Sequence, residues 1–351
     1  MDKLRYNHHR PKDTAKGSRS TGFSAAPCPV SSGPDRFPSR FPGCKIKERT
    51  LFIMYDIIII GAGPAGISAG IYAVSRGQRT LVLEKGQVGG IIGKVSTVTH
   101  YTALEARETG TTFADRMKEQ AVQAGVEIVY AEVTGVALSG ETKTVTTDKG
   151  TYEARKIILA NGSTPRKLRI PGEAELAGKG MGMNAARDGT AYAGKNVYVV
   201  GGADGAVKEA LYLATLAKQV TIIHFEDQLG CIPEFRQKVA AAGNITLRLG
   251  SRLHAVHGQD RVEQLEILHE HDGSIETVED PGCGIFVYAG LVPNTALYTE
   301  LTLEDGYIPT NEKMETAIPG VYAAGDIRVK QVRQVATAVA DGAIAAINAA
   351  L

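Results

Sequence analysis

Residues 57–66 read Ile-Ile-Ile-Ile-Gly-Ala-Gly-Pro-Ala-Gly: four β-branched residues, then a glycine-rich turn. So dense an apolar run predicts a strand buried on both faces, as in a parallel sheet. Gly61, Gly63 and Gly66 have the GxGxxG spacing of a dinucleotide-binding turn. Gly61 permits the tight turn, Gly63 lets the backbone approach a pyrophosphate, and Gly66 lets the next helix pack on the strand. That helix is expected over about 64–76, with its N–H groups and positive dipole end aimed at phosphate. A second strand, 80–83, ends at Glu84, which lies 23 positions after Gly61 (84 − 61). An acid there hydrogen-bonds a ribose hydroxyl. Strand, glycines, helix, strand and acid in that order point to a dinucleotide site rather than to a glycine-rich turn in an ordinary βαβ unit.

The same region tests a membrane reading. Residues 57–74 carry no charge and are long enough to suggest a span. Four glycines and Pro64 interrupt them and Asp56 precedes them, so no membrane segment is expected.

A chain of 351 residues should hold about two domains. The net charge of +1 is unevenly placed: residues 1–53 hold 11 Lys and Arg against 4 Asp and Glu, a balance of +7 (11 − 4), leaving −6 (1 − 7) for the remainder. A basic surface for nucleic acid is therefore not expected. Residues 1–53 also contain six of the 14 prolines and no sustained period, and read as a disordered N-terminal extension. They lack the apolar core of a secretory signal; their Arg and Ser content leaves an organelle transit peptide as an alternative. Residues 1–53 are expected to be an upstream extension not needed for folding, with Met54, two residues before Asp56, as the real start. The four cysteines, Cys28, Cys44, Cys231 and Cys283, form no CxxC, so no zinc ribbon or sequence-local redox pair is expected and no metal site is assigned. Few cysteines and no secretory signal point to a cytoplasmic protein.

Beyond the first unit, 111–124 has helical spacing, with Phe113, Met117, Ala121 and Ala124 on one side. Segments 126–130, 133–138, 143–147 and 151–153 suit an antiparallel meander, and 156–160 reads as another apolar strand. The grammar then repeats: an apolar strand at 196–200, the turn Gly-Gly-Ala-Asp-Gly-Ala at 201–206, a helix to about 217, and a strand at 220–224. This second unit is offset by 140 residues (201 − 61). A second meander is expected over about 246–278, an apolar strand over 285–290, and a helix from about 333 to the end.

With two nucleotide units and the run Gly-Val-Tyr-Ala-Ala-Gly-Asp at 320–326, the chain resembles the low-molecular-weight bacterial thioredoxin reductases, flavoproteins with two dinucleotide folds. The resemblance covers 54–351. It rests on the first glycine turn, Glu84, Gly89–Gly90, Asn-Gly-Ser-Thr-Pro-Arg at 161–166, the second glycine turn, Pro293–Asn294, and Gly-Asp followed by Arg333–Gln334. It implies an α/β fold of two Rossmann-like domains, each with a small antiparallel meander: an FAD domain (54–166 and 283–351) and an inserted NAD(P)-type domain (167–282). It also implies a homodimer. The FAD contacts it implies are Gly61, Gly63, Pro64, Ala65, Gly66, Glu84, Lys85, Gly90, Gly325, Asp326, Arg333, Gln334 and Val335.

The departures from that family bear on function. Its path runs from NADPH through flavin to a CxxC disulfide. Here the two cysteine positions hold Asn184 and Arg187, while the family's acid is retained as Asp188, which has the alternative role of capping a turn. The family's 2′-phosphate clamp of arginines is replaced by His224, Phe225 and Glu226, with Gly230 at the last site, and Ala203 takes the place of a turn glycine. A carboxylate in place of guanidiniums disfavours NADPH and leaves NADH, through its free ribose diol, as the alternative to no nicotinamide nucleotide. Near the flavin, Ile91 and His100 replace two amides; His100 is a candidate proton-transfer group or a strand-end histidine bonded to backbone. The expected function is an FAD-dependent oxidoreductase that passes electrons to an unidentified acceptor or takes them from a non-NADPH donor such as ferredoxin. An NADH-dependent flavin or ferredoxin reductase, and a non-catalytic FAD-binding regulatory subunit, are the alternatives.

Overall fold

The computed structural model describes Met54–Leu351. The expectation of a disordered extension falls on 1–53, outside the described residues. The first half contains β1 (Met54–Ile60), α1 (Pro64–Val74), β2 (Thr80–Glu84), α2 (Gly110–Gln123), β3 (Glu127–Tyr130), β4 (Val133–Ala137), β5 (Lys143–Thr147), β6 (Gly150–Leu159) and β7 (Ser163–Pro165). The second domain follows with α3 (Ala185–Asp188), β8 (Asn196–Val200), α4 (Asp204–Ala214), β9 (Gln219–Ile223), α5 (Pro233–Ala241), β10 (Ile245–Arg248), β11 (Ser251–His257), β12 (Gln264–His269), β13 (Ile275–Glu279) and β14 (Gly284–Val287). The chain ends with β15 (Leu291–Pro293), β16 (Val321–Ala323) and α6 (Val335–Ala349).

The first sheet runs β3-β2-β1-β6-β5-β4, with β16 also on β6. The long strand β6 serves two sheets in one. Its first half pairs antiparallel with β5, and its second half pairs parallel with β1 and with β16. Ile57, Ile58, Ile59 and Ile60 of β1 are buried, each worth about 2 kcal/mol of transfer free energy. Alternate residues feed opposite cores. Ile57 and Ile59 face α1, α2 and α6, whereas Ile58 and Ile60 face the core that contains Leu138, Val145, Tyr298 and Ile308. The second domain repeats the plan with a parallel sheet β10-β9-β8-β14 and a meander β11-β12-β13.

Three expectations are corrected. Residues 127–130 and 245–248 are not meander strands: β3 pairs parallel with β2, and β10 pairs parallel with β9. Each is the edge strand of its parallel sheet, and partial exposure gives an edge strand the alternation of a meander. The segments 151–153 and 156–160 are one strand, β6. The expected domain boundary at 282/283 falls one strand early, because β14 pairs with β8 and completes the second sheet. The return to the first domain is made by β15, which pairs with β7.

Small residues set the distance between α1 and α6. A Cβ on Gly342 would stand 2.0 Å from the carbonyl oxygen of Ala65; within the first unit, one on Gly66 would stand 1.8 Å from that of Gly61, seating α1 on its own turn. Ser68 Oγ donates to Val339 O across the same seam, at 2.8 Å. The uncharged face of α1 is thus accounted for by a helix partner, and no helix of the described residues is long and apolar enough to cross a membrane. Gly342→Ala should lower stability by about 1–3 kcal/mol, since a backbone oxygen must move to admit the methyl group. The fall in Tm relative to wild type measures it; an unchanged Tm would show that the seam has slack.

Candidate functional site

The first glycine turn is assembled from four parts of the chain. Gly61 adopts φ +101°, and a Cβ there would meet Ala160 O at 2.6 Å. Gly63 has nothing within 4 Å of its would-be Cβ, so the turn is open on the side where a pyrophosphate approaches. Glu84 at the end of β2 accepts from Ala62 N–H at 2.9 Å and from Gly86 N–H at 2.8 Å. Its carboxylate is therefore held beside the turn by backbone, with lone pairs left for a ribose hydroxyl. Gly89 N–H donates to Ala62 O at 2.9 Å, and Gly90, at φ +58°, lies against Gly63. Pro64 and Ala65 begin α1. Lys85 is exposed.

The carboxyl-terminal part closes on the same place. Gly325, at φ +80°, packs so that a Cβ would stand 2.9 Å from Ala65 Cβ. Asp326 and Arg333 carry the informative atoms: Asp326 Oδ1 and Arg333 Nε are buried without a hydrogen-bond partner. Burial pushes the Asp326 carboxyl up, against the pull of Lys330 and Arg333. The Arg333 guanidinium lies 4.2 Å over the centre of the Tyr307 ring. Gln334 caps α6, its N–H bonded to Thr337 Oγ1 at 3.2 Å, and Val335 packs on the first core. Unpaired buried groups are costly in a folded protein. Two of them beside an open glycine turn fit a polar cofactor such as FAD.

Other expected residues make local contacts of their own. His100, at φ +59°, reaches the second domain: its Nε2 lies 3.7 Å from Glu234 Oε2 and its ring packs edge-on to Phe235 of α5. Asp188 is spent on its own turn, accepting from Asn184 N–H at 2.8 Å and from Arg187 Nε and Nη2 at 2.7 Å each. The Arg187 hydrogen bonds hold its carboxyl below the usual range, which suits a turn-stabilising anion and not a proton donor. Asn184 caps α3 through Oδ1 and donates from Nδ2 to Lys94 O in the first domain, at 3.0 Å.

In the second glycine turn Gly201 adopts φ +130°, and a Cβ on Gly202 would run into the His224 ring at 2.4 Å. His224 is buried, with Nε2 3.1 Å from Glu226 Oε2 and Nδ1 unpaired. Phe225 is exposed, and the Arg252 guanidinium stacks 4.5 Å from its ring centre. Arg252 is a cation that sequence reasoning missed, because β11 lies far from β9 in the chain.

Two buried charge clusters were also missed. Lys208 and Glu209 of α4 lie at the domain junction, where Glu209 accepts from Ser96 N–H at 3.1 Å and Lys208 donates to Thr97 O at 2.7 Å. Asp341 of α6 binds Arg328 and Lys330. Asp341 had a signal, being the one charge in 335–351. Gly63→Val provides a direct test of the first turn. With open space around Gly63, the variant should fold with wild-type apoprotein stability yet fail to retain FAD, as read by flavin absorbance and apoprotein Tm. Full FAD retention would show that the cofactor does not cross this turn.

Known proteins share this fold. Residues 55–342 match the family model described as pyridine nucleotide-disulphide oxidoreductase. A thioredoxin reductase of Peptoclostridium acidaminophilum is 39% identical over 302 residues, covering 84% of this chain and 96% of that protein. A 34.2 kDa protein in a rubredoxin operon of Clostridium pasteurianum is 37% identical over 297 residues, covering 84% and 96%. The crystal structure of Lactococcus lactis thioredoxin reductase in its FR conformation is similar with a TM-score of 0.80 at 35% identity, covering 84% of this chain and 97% of that one. The chain belongs to the pyridine nucleotide-disulphide oxidoreductase family, as an FAD-dependent oxidoreductase of the thioredoxin reductase kind.

Proposed function

We propose that this chain exchanges electrons through FAD without an internal redox disulfide, with a non-NADPH donor such as ferredoxin and a separate acceptor. The thiols carry the reading. Among the described residues only Cys231 and Cys283 are cysteines; both are free and buried. They belong to different cores of the second domain. Burial pushes Cys231 up and Cys283 up to about 12, so both favour the inert thiol at neutral pH. Asn184 and Arg187 occupy the positions of the family's cysteines and are engaged in capping and pairing.

FAD, when bound, supplies one- and two-electron transfer. The residues that would hold it are the Gly61–Gly66 turn, Glu84, the Gly89–Gly90 turn, Asp326 and Arg333. The α1 N-terminus favours the anionic pyrophosphate, and Glu84 orients a ribose. At the second turn, Glu226 repels a 2′-phosphate and suits a ribose diol, which supports NADH over NADPH. The description of the Clostridium pasteurianum relative, a protein in a rubredoxin operon, supports a small iron protein as the donor class. A homodimer in the cytoplasm completes the proposal, on the family resemblance.

A second reading, NADPH-driven thioredoxin reduction, is favoured by the name of the 39% identical relative. Anaerobic titration with NADH, NADPH and reduced ferredoxin, together with insulin-coupled thioredoxin reduction, separates the two. The proposal expects bleaching by ferredoxin or NADH and no NADPH-driven thioredoxin turnover. Robust turnover by the wild type would sink it. Phe225→Arg with Glu226→Arg should raise NADPH affinity, at ~1.5–3 kcal/mol for each charge-assisted bond regained. Thioredoxin turnover should still be absent in that variant.

A further inference from the structure

Asp341 lies in the second turn of α6, 4% exposed and surrounded by apolar helix. Its Oδ2 accepts from Gly325 N–H at 3.1 Å, from Arg328 Nε at 2.9 Å and from Lys330 Nζ at 2.7 Å. Its Oδ1 accepts from Arg328 Nη2 at 3.0 Å. Burial pushes the carboxyl up, but the Arg328 and Lys330 hydrogen bonds outweigh it and the group is held ionised. Arg328 is tied further, to Thr310 Oγ1 and to Val329 O, both at 3.2 Å. The neighbouring Gly342 touches the Ala65 carbonyl, so the carboxylate is anchored against the first turn of α1.

A buried ion cluster is a weak source of stability, because desolvation offsets most of the attraction, and an apolar replacement often does as well. What this one does is join three chain segments at a single turn. Gly325 is held by its N–H, and the next residue is Asp326, whose Oδ1 is buried with no partner. Arg328, Lys330 and Arg333 bring three cations to two carboxylates, a net charge of +1 (3 − 2) with all groups ionised. The Asp326 oxygen and Arg333 Nε are left without partners from the chain, free to pair with a polar ligand.

We propose that Asp341 is a positioning residue for FAD: it fixes Gly325 and gathers Arg328 and Lys330, so that Asp326 is presented to the cofactor in one orientation. Asp341 touches the cofactor only through that turn. The inference rests on the reading of Asp326 as a cofactor contact. It assigns to α6 a part in binding beyond its packing on α1.

A double-mutant cycle on FAD affinity tests it, with the dissociation constant and the flavin absorption band measured on apoprotein reconstituted with FAD. Asp341→Asn should weaken FAD by about tenfold in the wild-type background and perturb the flavin band. In an Asp326→Ala background the same substitution should cost no more than about twofold, since Asp341 then has nothing to position. An equal cost in both backgrounds would assign Asp341 to packing alone and overturn the proposal. If Asp341→Asn does not fold, as judged by circular dichroism, Lys330→Gln in the same cycle must show the same loss of effect, and additivity there overturns the proposal equally. Asp280→Asn, in the second domain, should leave FAD affinity unchanged; a comparable loss there would attribute the effect to general destabilisation. Should Asp326→Ala alone leave FAD affinity unchanged, the reading of Asp326 itself fails. Loss with Asp326→Ala together with an additive cycle removes only the role of Asp341.

Discussion

Backbone meets backbone at two points on α1, and most of the first domain depends on them. At Gly66 the helix lies on the Gly61 carbonyl; at Gly342 the last helix lies on the Ala65 carbonyl. Neither place has room for a methyl group. These contacts press the N-terminus of α1 against the end of β1 and bring α6 in from the far end of the sequence. The N-terminal end of α1 is then flanked by Gly325 and Asp326, although 259 positions separate Gly66 from Gly325 (325 − 66). A larger residue at Gly342 would push the last helix off α1, and one at Gly66 would push α1 off its own glycine turn.

Charge is placed where apolar packing cannot give direction. Inside the first domain, Asp341 faces two cations and one backbone N–H at the turn. At the junction with the second domain, Glu209 is 2% exposed and takes the Ser96 N–H, while Lys208 pairs with it at 3.5 Å and reaches the Thr97 carbonyl. Asn161 and Asn294 exchange side-chain amide donors and backbone acceptors across the domain's two halves, at 2.9 and 2.7 Å, and the buried Tyr298 hydroxyl donates to Asn161 Oδ1. Such contacts add little net stability, since the groups were hydrogen-bonded to water before folding. Their directionality sets how the pieces meet.

The second domain keeps the architecture of the first and changes its chemistry. The strand, glycine turn and helix recur, yet His224 fills the space beside Gly202, Glu226 stands in the loop after β9, and Arg252 reaches over Phe225. Helix α3 is capped by Asn184 and closed by the Arg187–Asp188 pair. These changes sit at the polar ends of elements, where substitution leaves the sheet core intact. A fold can therefore stay constant while the residues at its loop ends vary.

The first turn was legible in the sequence because every requirement on it is local: Gly61, Gly63 and Gly66 within one turn, and Glu84 at the end of the next strand. Strand and helix periods also gave both dinucleotide units and most elements. Sheet membership was not legible. The run 284–287 reads as a buried strand in either domain, and only its pairing with β8 assigns it; β3 and β10 alternate like meander strands because they lie at edges. The site residues divide in the same way. Asp326 was placed by motif, whereas its neighbours Arg328, Lys330 and Asp341 converge through the packing of α6 on α1. His100 packs edge-on to Phe235 of α5, a contact between domains that no sequence spacing announces. Local sequence determines which backbone shapes form. Which charges share one low-dielectric space is decided by long-range packing, and no spacing along the chain records it.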